Sequence, residues 1–185
     1  DEINTCIGCN QACLDHTFAG KITSCLVNPR ACHETELVIA PAETPKTIAV
    51  AGAGPAGLAF AVTAAERGHD VTLIETASEV GGQFNIARKI PGKEEFGETL
   101  RYFRKQLDLT GVTVRLNTRA KAKALADEGF DEIILATGVS PRTPEIDGMD
   151  HAKTLSYLDV LRDEVPVGKT VAVIGAGGIG HDVSE

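Results

Sequence analysis

An α/β fold built on a doubly wound parallel sheet is what this sequence predicts, and three observations carry the prediction. The first is residues 47–75, TIAVAGAGPAGLAFAVTAAERGHDVTLIE: apolar run, glycine turn, alanine-rich segment, second apolar run, acid. The second is a repeat of that opening at residues 170–180, where the apolar run TVAVI meets Gly175-Ala176-Gly177-Gly178-Ile179-Gly180. The third is the pattern between them: short apolar runs at 112–116 and 132–136, alternating with helical or connecting segments. Strands that alternate with helices form parallel sheets through crossover connections.

In the first stretch, residues 47–51 read as a buried strand and 71–74 as the next one. The helix between them runs from Pro55 to about Arg67. Proline at the first helical position loses only an N–H that would be unpaired anyway, and Gly68 is a C-cap candidate. Gly52 permits a tight turn, Gly54 lets a phosphate approach the backbone, and Gly57 lets the helix pack close to the sheet. Pro55 and Ala56 lie inside this turn. Free N–H groups and the positive end of the helix dipole then face an anion. Glu75 follows ~20 residues later, where an acid accepts hydrogen bonds from a ribose. The pattern GxGxxG alone is weak. With both strands, the helix and the acid in place, it predicts a nucleotide site rather than a glycine-rich structural turn.

Residues 1–45 differ. They are loop-like, punctuated by Gly8, Asn10, Gly20, Asn28 and Pro29, and 34–46 reads as a linker feeding the first strand. Cys6, Cys9, Cys13 and Cys25 follow the spacing C-x2-C-x3-C-x11-C. Short loops let three thiolates converge, and the longer loop returns a fourth. One CxxC with two looser cysteines favours a cubane [4Fe–4S] cluster over tetrahedral zinc, with disulfides or inert thiols as the remaining alternative. Cys32 lies outside the spacing and reads as a free or buried thiol. His16 and His33 read as hydrogen-bonding or surface groups. The odd total of five cysteines excludes complete internal pairing.

After Glu75, Gly81-Gly82-Gln83 supplies backbone able to pass close to a ligand. Lys93, in the turn Ile90-Pro91-Gly92-Lys93, has two readings: a phosphate contact or a solvated cation. Residues 94–110 form an amphipathic helix, since Phe96, Leu100, Phe103 and Leu107 step by 4, 3 and 4 along one stripe. Gly111 ends it. Residues 117–120 follow the third strand and would lie near an adenine. The strand at 132–136 runs into Thr137-Gly138, which puts Gly138 where backbone passes a bound cofactor. Paired with the first fingerprint, it points to FAD as the first ligand. Residues 141–168 read as a connection with a helical patch at 157–162. The second glycine turn, with Gly175, Gly177 and Gly180, opens a second nucleotide site. The residue that separates NAD from NADP belongs ~20 residues further on, past Glu185.

Composition limits the rest. Eighteen basic against 26 acidic residues give a net charge of −8, which argues against nucleic acid as a partner. No run approaches the ~18–20 apolar residues of a membrane span, and the opening Asp-Glu-Ile-Asn is unlike a signal peptide. A reducing, cytoplasmic location is expected, and the cysteines suit it.

In order along the chain, CIGCNQAC, TSCLVNPRACHE, AGAGPAGLAFA, EVGGQFNIA, IPGKEEF, ATG and SYLDVLRD resemble the bacterial NADPH-dependent 2,4-dienoyl-CoA reductases. These are iron–sulfur flavoenzymes grouped with old yellow enzyme, and the trimethylamine and histamine dehydrogenases are cousins. The resemblance implies that Cys6, Cys9, Cys13 and Cys25 ligate a [4Fe–4S] cluster. It implies FAD contacts from Gly52 to Gly57, Glu75, Gly82, Gln83, Thr137 and Gly138, with Lys93 and Ala120 beside them, and it sets Gln11 near the nicotinamide–flavin region. Gly175, Gly177 and Gly180 would open the NADP(H) site. The family carries FMN and an unsaturated fatty acyl-CoA in an N-terminal barrel, and completes its NADPH domain beyond the second turn. The expectation is therefore a central piece: a cluster segment at 1–45, an incomplete FAD-binding domain at 46–160 and the start of an NAD(P)-binding domain at 161–185. It would relay electrons from NADPH through FAD and the cluster to FMN, in fatty acid β-oxidation. Its partners would be its own barrel and C-terminal domain, and no catalytic residue for substrate protonation falls within it. The same relay in an amine dehydrogenase or enoate reductase, and a zinc-stabilised nucleotide-binding module without redox chemistry, are the alternative readings.

Overall fold

A computed structural model describes residues 2–185; Asp1, the first residue of the expected cluster segment, lies outside the described residues. Four strands form one sheet: β1 (Thr47–Ala51), β2 (Asp70–Ile74), β3 (Thr113–Arg115) and β4 (Glu132–Leu135), in the order β3-β2-β1-β4. Every pairing is parallel, with Ala51 level with Ile74 on one side and with Leu135 on the other. The α/β class with a doubly wound parallel sheet is therefore realised.

Side chains alternate across the sheet, as the pleat requires. Ile48 and Val50 of β1 and Val71 and Leu73 of β2 enter one core, with Leu58, Leu100 and Leu107 from two helices. Those helices are α2 (Pro55–Glu66) and α4 (Phe96–Thr110), which pack against each other over the sheet. Ala49 and Ile74 point the other way into a smaller core around Leu125. Each fully buried leucine contributes about 1.5–3 kcal/mol. Of the predicted stripe, Leu100 and Leu107 are buried, Phe103 packs at the core's edge, and Phe96 tilts against Phe84 with ring centroids 4.5 Å apart. The left-handed Gly111 caps α4, and its N–H donates to Leu107 O.

Elements the sequence pattern missed are short. A π-helical turn at Gln11–Asp15 runs into α1 (His16–Phe18), inside the segment expected to be loop. Two more, α3 (Phe84–Ala87) and α5 (Ala122–Asp127), lie within segments read as loop and connection. Runs this short hold too few apolar positions for a period to register. The helical patch is α6 (Tyr157–Leu161), opened by a capping box in which Ser156 and Asp159 bond reciprocally.

One expected strand does not form. Residues 170–174 carry no strand ladder, although α7 (Gly178–Ser184) follows where the glycine pattern puts it. A strand needs a hydrogen-bonded neighbour, and among the described residues neither sheet edge, β3 or β4, takes this run. Val171, Val173 and Ile174 are left 57%, 46% and 71% exposed.

Candidate functional site

The order β3-β2-β1-β4 means that the chain leaves β1 first toward β2 and β3, then crosses back to β4 on the other side of β1. In such sheets ligands bind outside the carboxyl ends of the strands where the direction reverses. That crevice lies beyond β1 and β4, and the glycine segments meet there.

Gly52 follows β1 at φ +106°, a conformation open to glycine but strained for L side chains. A β-carbon on it would run into the Ala136 carbonyl oxygen and stand 3.2 Å from Thr137 Cα. A β-carbon on Gly57 would run into the Gly52 carbonyl oxygen and stand 3.3 Å from Ala136 Cβ. All but the Ala136 methyl are backbone atoms, and the methyl cannot swing away, so the turn, the start of α2 and the end of β4 approach this closely only because Gly52 and Gly57 lack side chains. Gly54 is different. It is extended (φ −73°, ψ 180°), and a β-carbon there would meet nothing within 4 Å. It faces open space at the N-terminal end of α2, where the first N–H groups have no helical partner.

The Gly81-Gly82 pair folds back onto this turn. Gly81 N–H donates to Ala53 O at 2.8 Å. Gly82, at φ +54°, leaves only 3.0 Å between a would-be β-carbon and Gly54 Cα. Gln83 Nε2 reaches Val139 O at 3.5 Å, beside Gly138, itself at φ +72°. Three segments far apart in the chain thus converge on one groove floored by backbone. Pro55 opens α2 and Ala56 is exposed beside it.

Glu75 follows β2, and its carboxylate turns back to the glycine turn. Its Oε2 accepts from Ala53 N–H at 2.7 Å; its Oε1 accepts from Ala77 N–H and Thr76 Oγ1, both at 2.9 Å. The predicted acid is thus also a brace that ties β2 to the glycine turn. Burial opposes its ionisation, but the hydrogen bonds from Ala77, Ala53 and Thr76 together outweigh burial and hold the carboxyl below its ordinary range. A depressed folded-state pKa contributes stability that is present above the unfolded value and lost as pH falls through the folded one. Acid unfolding should therefore weaken the wild-type protein more than Glu75→Gln below pH of about 4.5; parallel melting-temperature curves for the two would refute the brace.

Ala120 packs against the smaller core, and Thr118 N–H donates to Glu75 O at 2.8 Å, so the residues after β3 do lie beside the acid. Lys93 is placed otherwise. Its Nζ pairs with Asp182 Oδ2 of α7 at 2.7 Å.

The second glycine turn copies the first. Gly175 has φ +111°, Gly177 is extended at φ −85° and ψ −178°, and a β-carbon on Gly180 would run into the Gly175 carbonyl oxygen. Its backbone repeats the first turn although its strand is not formed.

All five cysteines are free thiols. Cys9, Cys13 and Cys25 are half-buried and Cys6 is exposed, with its sulfur accepting from Gly8 N–H at 3.3 Å. Asn10, left-handed at φ 55°, starts the π-turn that carries Gln11, which is exposed, and Cys13. The loop returns through Ser24 N–H to Ala12 O at 2.8 Å and Thr17 Oγ1 to Thr23 Oγ1 at 3.0 Å, which brings the neighbour of Cys25 back to the Cys13 turn. The donors suit a thiolate-bound centre, but among the described residues no group of three or more His, Cys, Asp or Glu stands ready to hold a metal ion. Cys32 is exposed and left-handed at φ 63°.

Residues 46–185 match the family model of the pyridine nucleotide-disulphide oxidoreductases. The chain belongs to that family. Such an oxidoreductase domain binds FAD and NAD(P), and the groove at Gly54 and Gly82 fits a dinucleotide's pyrophosphate: it is bare of side chains and fronts a helix N-terminus. Over its whole length the chain is 39% identical to a metal reductase of Desulforamulus reducens and 36% identical to a cinnamate reductase of Clostridium sporogenes. Among solved structures, a 2-naphthoyl-CoA reductase superposes with TM-score 0.94 at 38% identity, over 98% of this chain and 28% of that one. Histamine dehydrogenase from Rhizobium sp. 4-9 gives 0.70 at 32%, over 78% of this chain and 22% of that one. This oxidoreductase chain spans 28% and 27% of the lengths of the two curated relatives. Among the described residues no helix is long and apolar enough to cross a membrane.

Two contributors escaped the sequence reading. Ala136 supplies the carbonyl and methyl against which Gly52 and Gly57 must be bare. Asp131 pins the start of β1, its Oδ2 accepting from Thr47 N–H at 2.8 Å and Thr47 Oγ1 at 2.9 Å. The apolar-then-ATG run marked Ala136's neighbourhood, and nothing local marked Asp131.

Proposed function

We propose that this chain is the cofactor-bearing relay of an NADPH-dependent flavin and iron–sulfur reductase of the 2,4-dienoyl-CoA reductase type. The convergence of Gly52–Gly57, Gly81–Gln83 and Ala136–Gly138 on one bare groove, with a second turn of the same geometry downstream, carries the reading. When bound, FAD supplies a carrier of one or two electrons and a [4Fe–4S] cluster a carrier of one, between NADPH and an FMN held elsewhere. Gly54 and Gly82 admit the pyrophosphate, the N–H groups opening α2 donate to it, and Glu75 keeps acceptor capacity for a ribose hydroxyl, since an ionised carboxylate offers about four acceptor sites. Cys6, Cys9, Cys13 and Cys25 are the cluster's thiolates, and Gly175, Gly177 and Gly180 receive NADPH. A barrel with FMN and an unsaturated acyl-CoA, and the rest of the NADPH domain, are the partners this reading requires.

The likeness to a 2-naphthoyl-CoA reductase supports an acyl-CoA substrate. The 34% identity to an N,N-dimethylglycine/sarcosine dehydrogenase of Chromohalobacter salexigens supports the same relay with an amine as the second reading.

Anaerobic preparation of the protein should give flavin bands with broad absorbance near ~400 nm, bleached by NADPH. Cys13→Ser should remove the broad absorbance and leave the flavin. A colourless protein with one bound zinc would sink the relay, and unchanged iron content in Cys13→Ser would remove that cysteine from the ligand set.

A further inference from the structure

The segment that carries the second glycine turn is held to the first site by charge. Lys93 Nζ meets Asp182 Oδ2 at 2.7 Å, and Lys89 Nζ meets Glu164 Oε1 at 2.9 Å. Both lysines follow α3, directly after the Gly81-Gly82-Gln83 loop. Asp182 lies on α7 itself, while Glu164 stands just after α6, which packs against α7. The two pairs therefore tie the same unit, α6 with α7, to the same segment, the turn that follows α3.

The run before α7 is outside the sheet and its apolar side chains are exposed. Glu164 adopts a left-handed φ of 55°, which sets its carboxylate toward Lys89, and that ammonium holds the carboxyl below its ordinary range. Of the four groups, Asp182 is the most sheltered, at 26% side-chain exposure, so its pair is the less screened.

We infer that Asp182 is a positioning residue: paired with Lys93, and seconded by Lys89 and Glu164, it fixes the orientation of the second glycine turn relative to the first. Half-exposed pairs are individually weak, each shifting an equilibrium about 2- to 5-fold. That is strong enough to bias one arrangement and weak enough to let it open.

Hydrogen exchange of the α7 amides in the native, flavin-loaded protein tests the tie without any nicotinamide. Asp182→Asn is the clean variant, because it leaves Lys93 in place. It should speed exchange over 178–184 about 2- to 5-fold at low salt and little at high salt. Lys89→Gln should add a similar factor. The charge swap Lys93→Asp with Asp182→Lys should restore protection. Unchanged exchange in Asp182→Asn, or a swap that restores nothing, would overturn the inference. Its consequence rests on the nicotinamide reading of the second turn: Asp182→Asn should raise KM for NADPH severalfold with flavin content unchanged. Faster exchange with an unaltered KM would keep the tie and reject that reading of the turn.

Discussion

Gly57→Val is expected to lower the melting temperature of this chain by roughly 6–12 °C. A β-carbon at 57 would run into the Gly52 carbonyl oxygen, 3.0 Å from its carbon and 3.3 Å from Ala136 Cβ. None of these atoms belongs to a flexible side chain, so the clash is relieved only if α2 lifts from β1. Lifting α2 opens the core at Leu58 and Ala61, both fully buried. Overpacking costs about 1–3 kcal/mol, and a clash that no flexible side chain can relieve belongs at the upper end, about 3 kcal/mol; a chain of this size loses about 2–4 °C for each kcal/mol. Thermal unfolding followed by circular dichroism measures it. A melting temperature within a degree or two of wild type would mean that the helix and sheet are not in this close register.

Gly54→Val, three residues away, should do the opposite. Its backbone is extended, which valine adopts readily, and its β-carbon meets nothing within 4 Å. Stability should change by no more than about 0.5 kcal/mol. The branched side chain would stand in the groove between the turn and Gly82, where the pyrophosphate must touch the backbone. Flavin affinity should fall at least ~100-fold, which corresponds to about 2.8 kcal/mol. Equilibrium dialysis against FAD, beside the melting curve, separates the two effects. Full flavin retention in Gly54→Val would place the pyrophosphate elsewhere. The pair of variants assigns Gly57 to architecture and Gly54 to binding, although both belong to one short motif.

Much of this was legible in the amino-acid order, for local reasons. The strands β1 and β2 are short apolar runs bounded by a glycine turn and a charged residue, and α2 begins at a proline and stops before a glycine. The stripe of α4 repeats at helical spacing, with Gly111 as its cap. Both glycine turns declared themselves because the positive φ at Gly52 and Gly175 admits almost no other residue.

Tertiary structure decided what depends on distant partners. Residues 170–174 have the composition of a strand, yet composition cannot supply a neighbour to bond with, and the run stays outside the sheet. Glu75 has the expected position, but the hydrogen bond it accepts from Ala53, 22 positions away, exists only because β2 lies against β1. Lys93 reads equally as a phosphate contact or a solvated cation; the fold gives it Asp182, 89 positions away. Short-range pattern, steric restriction at glycine and periodic burial act within a few residues, so the sequence by itself determined the fold class and the conformation of the two glycine turns. Ion pairs, braces and sheet edges join residues that only the folded chain brings together, and these decided how the groove is built and what holds the second turn beside it.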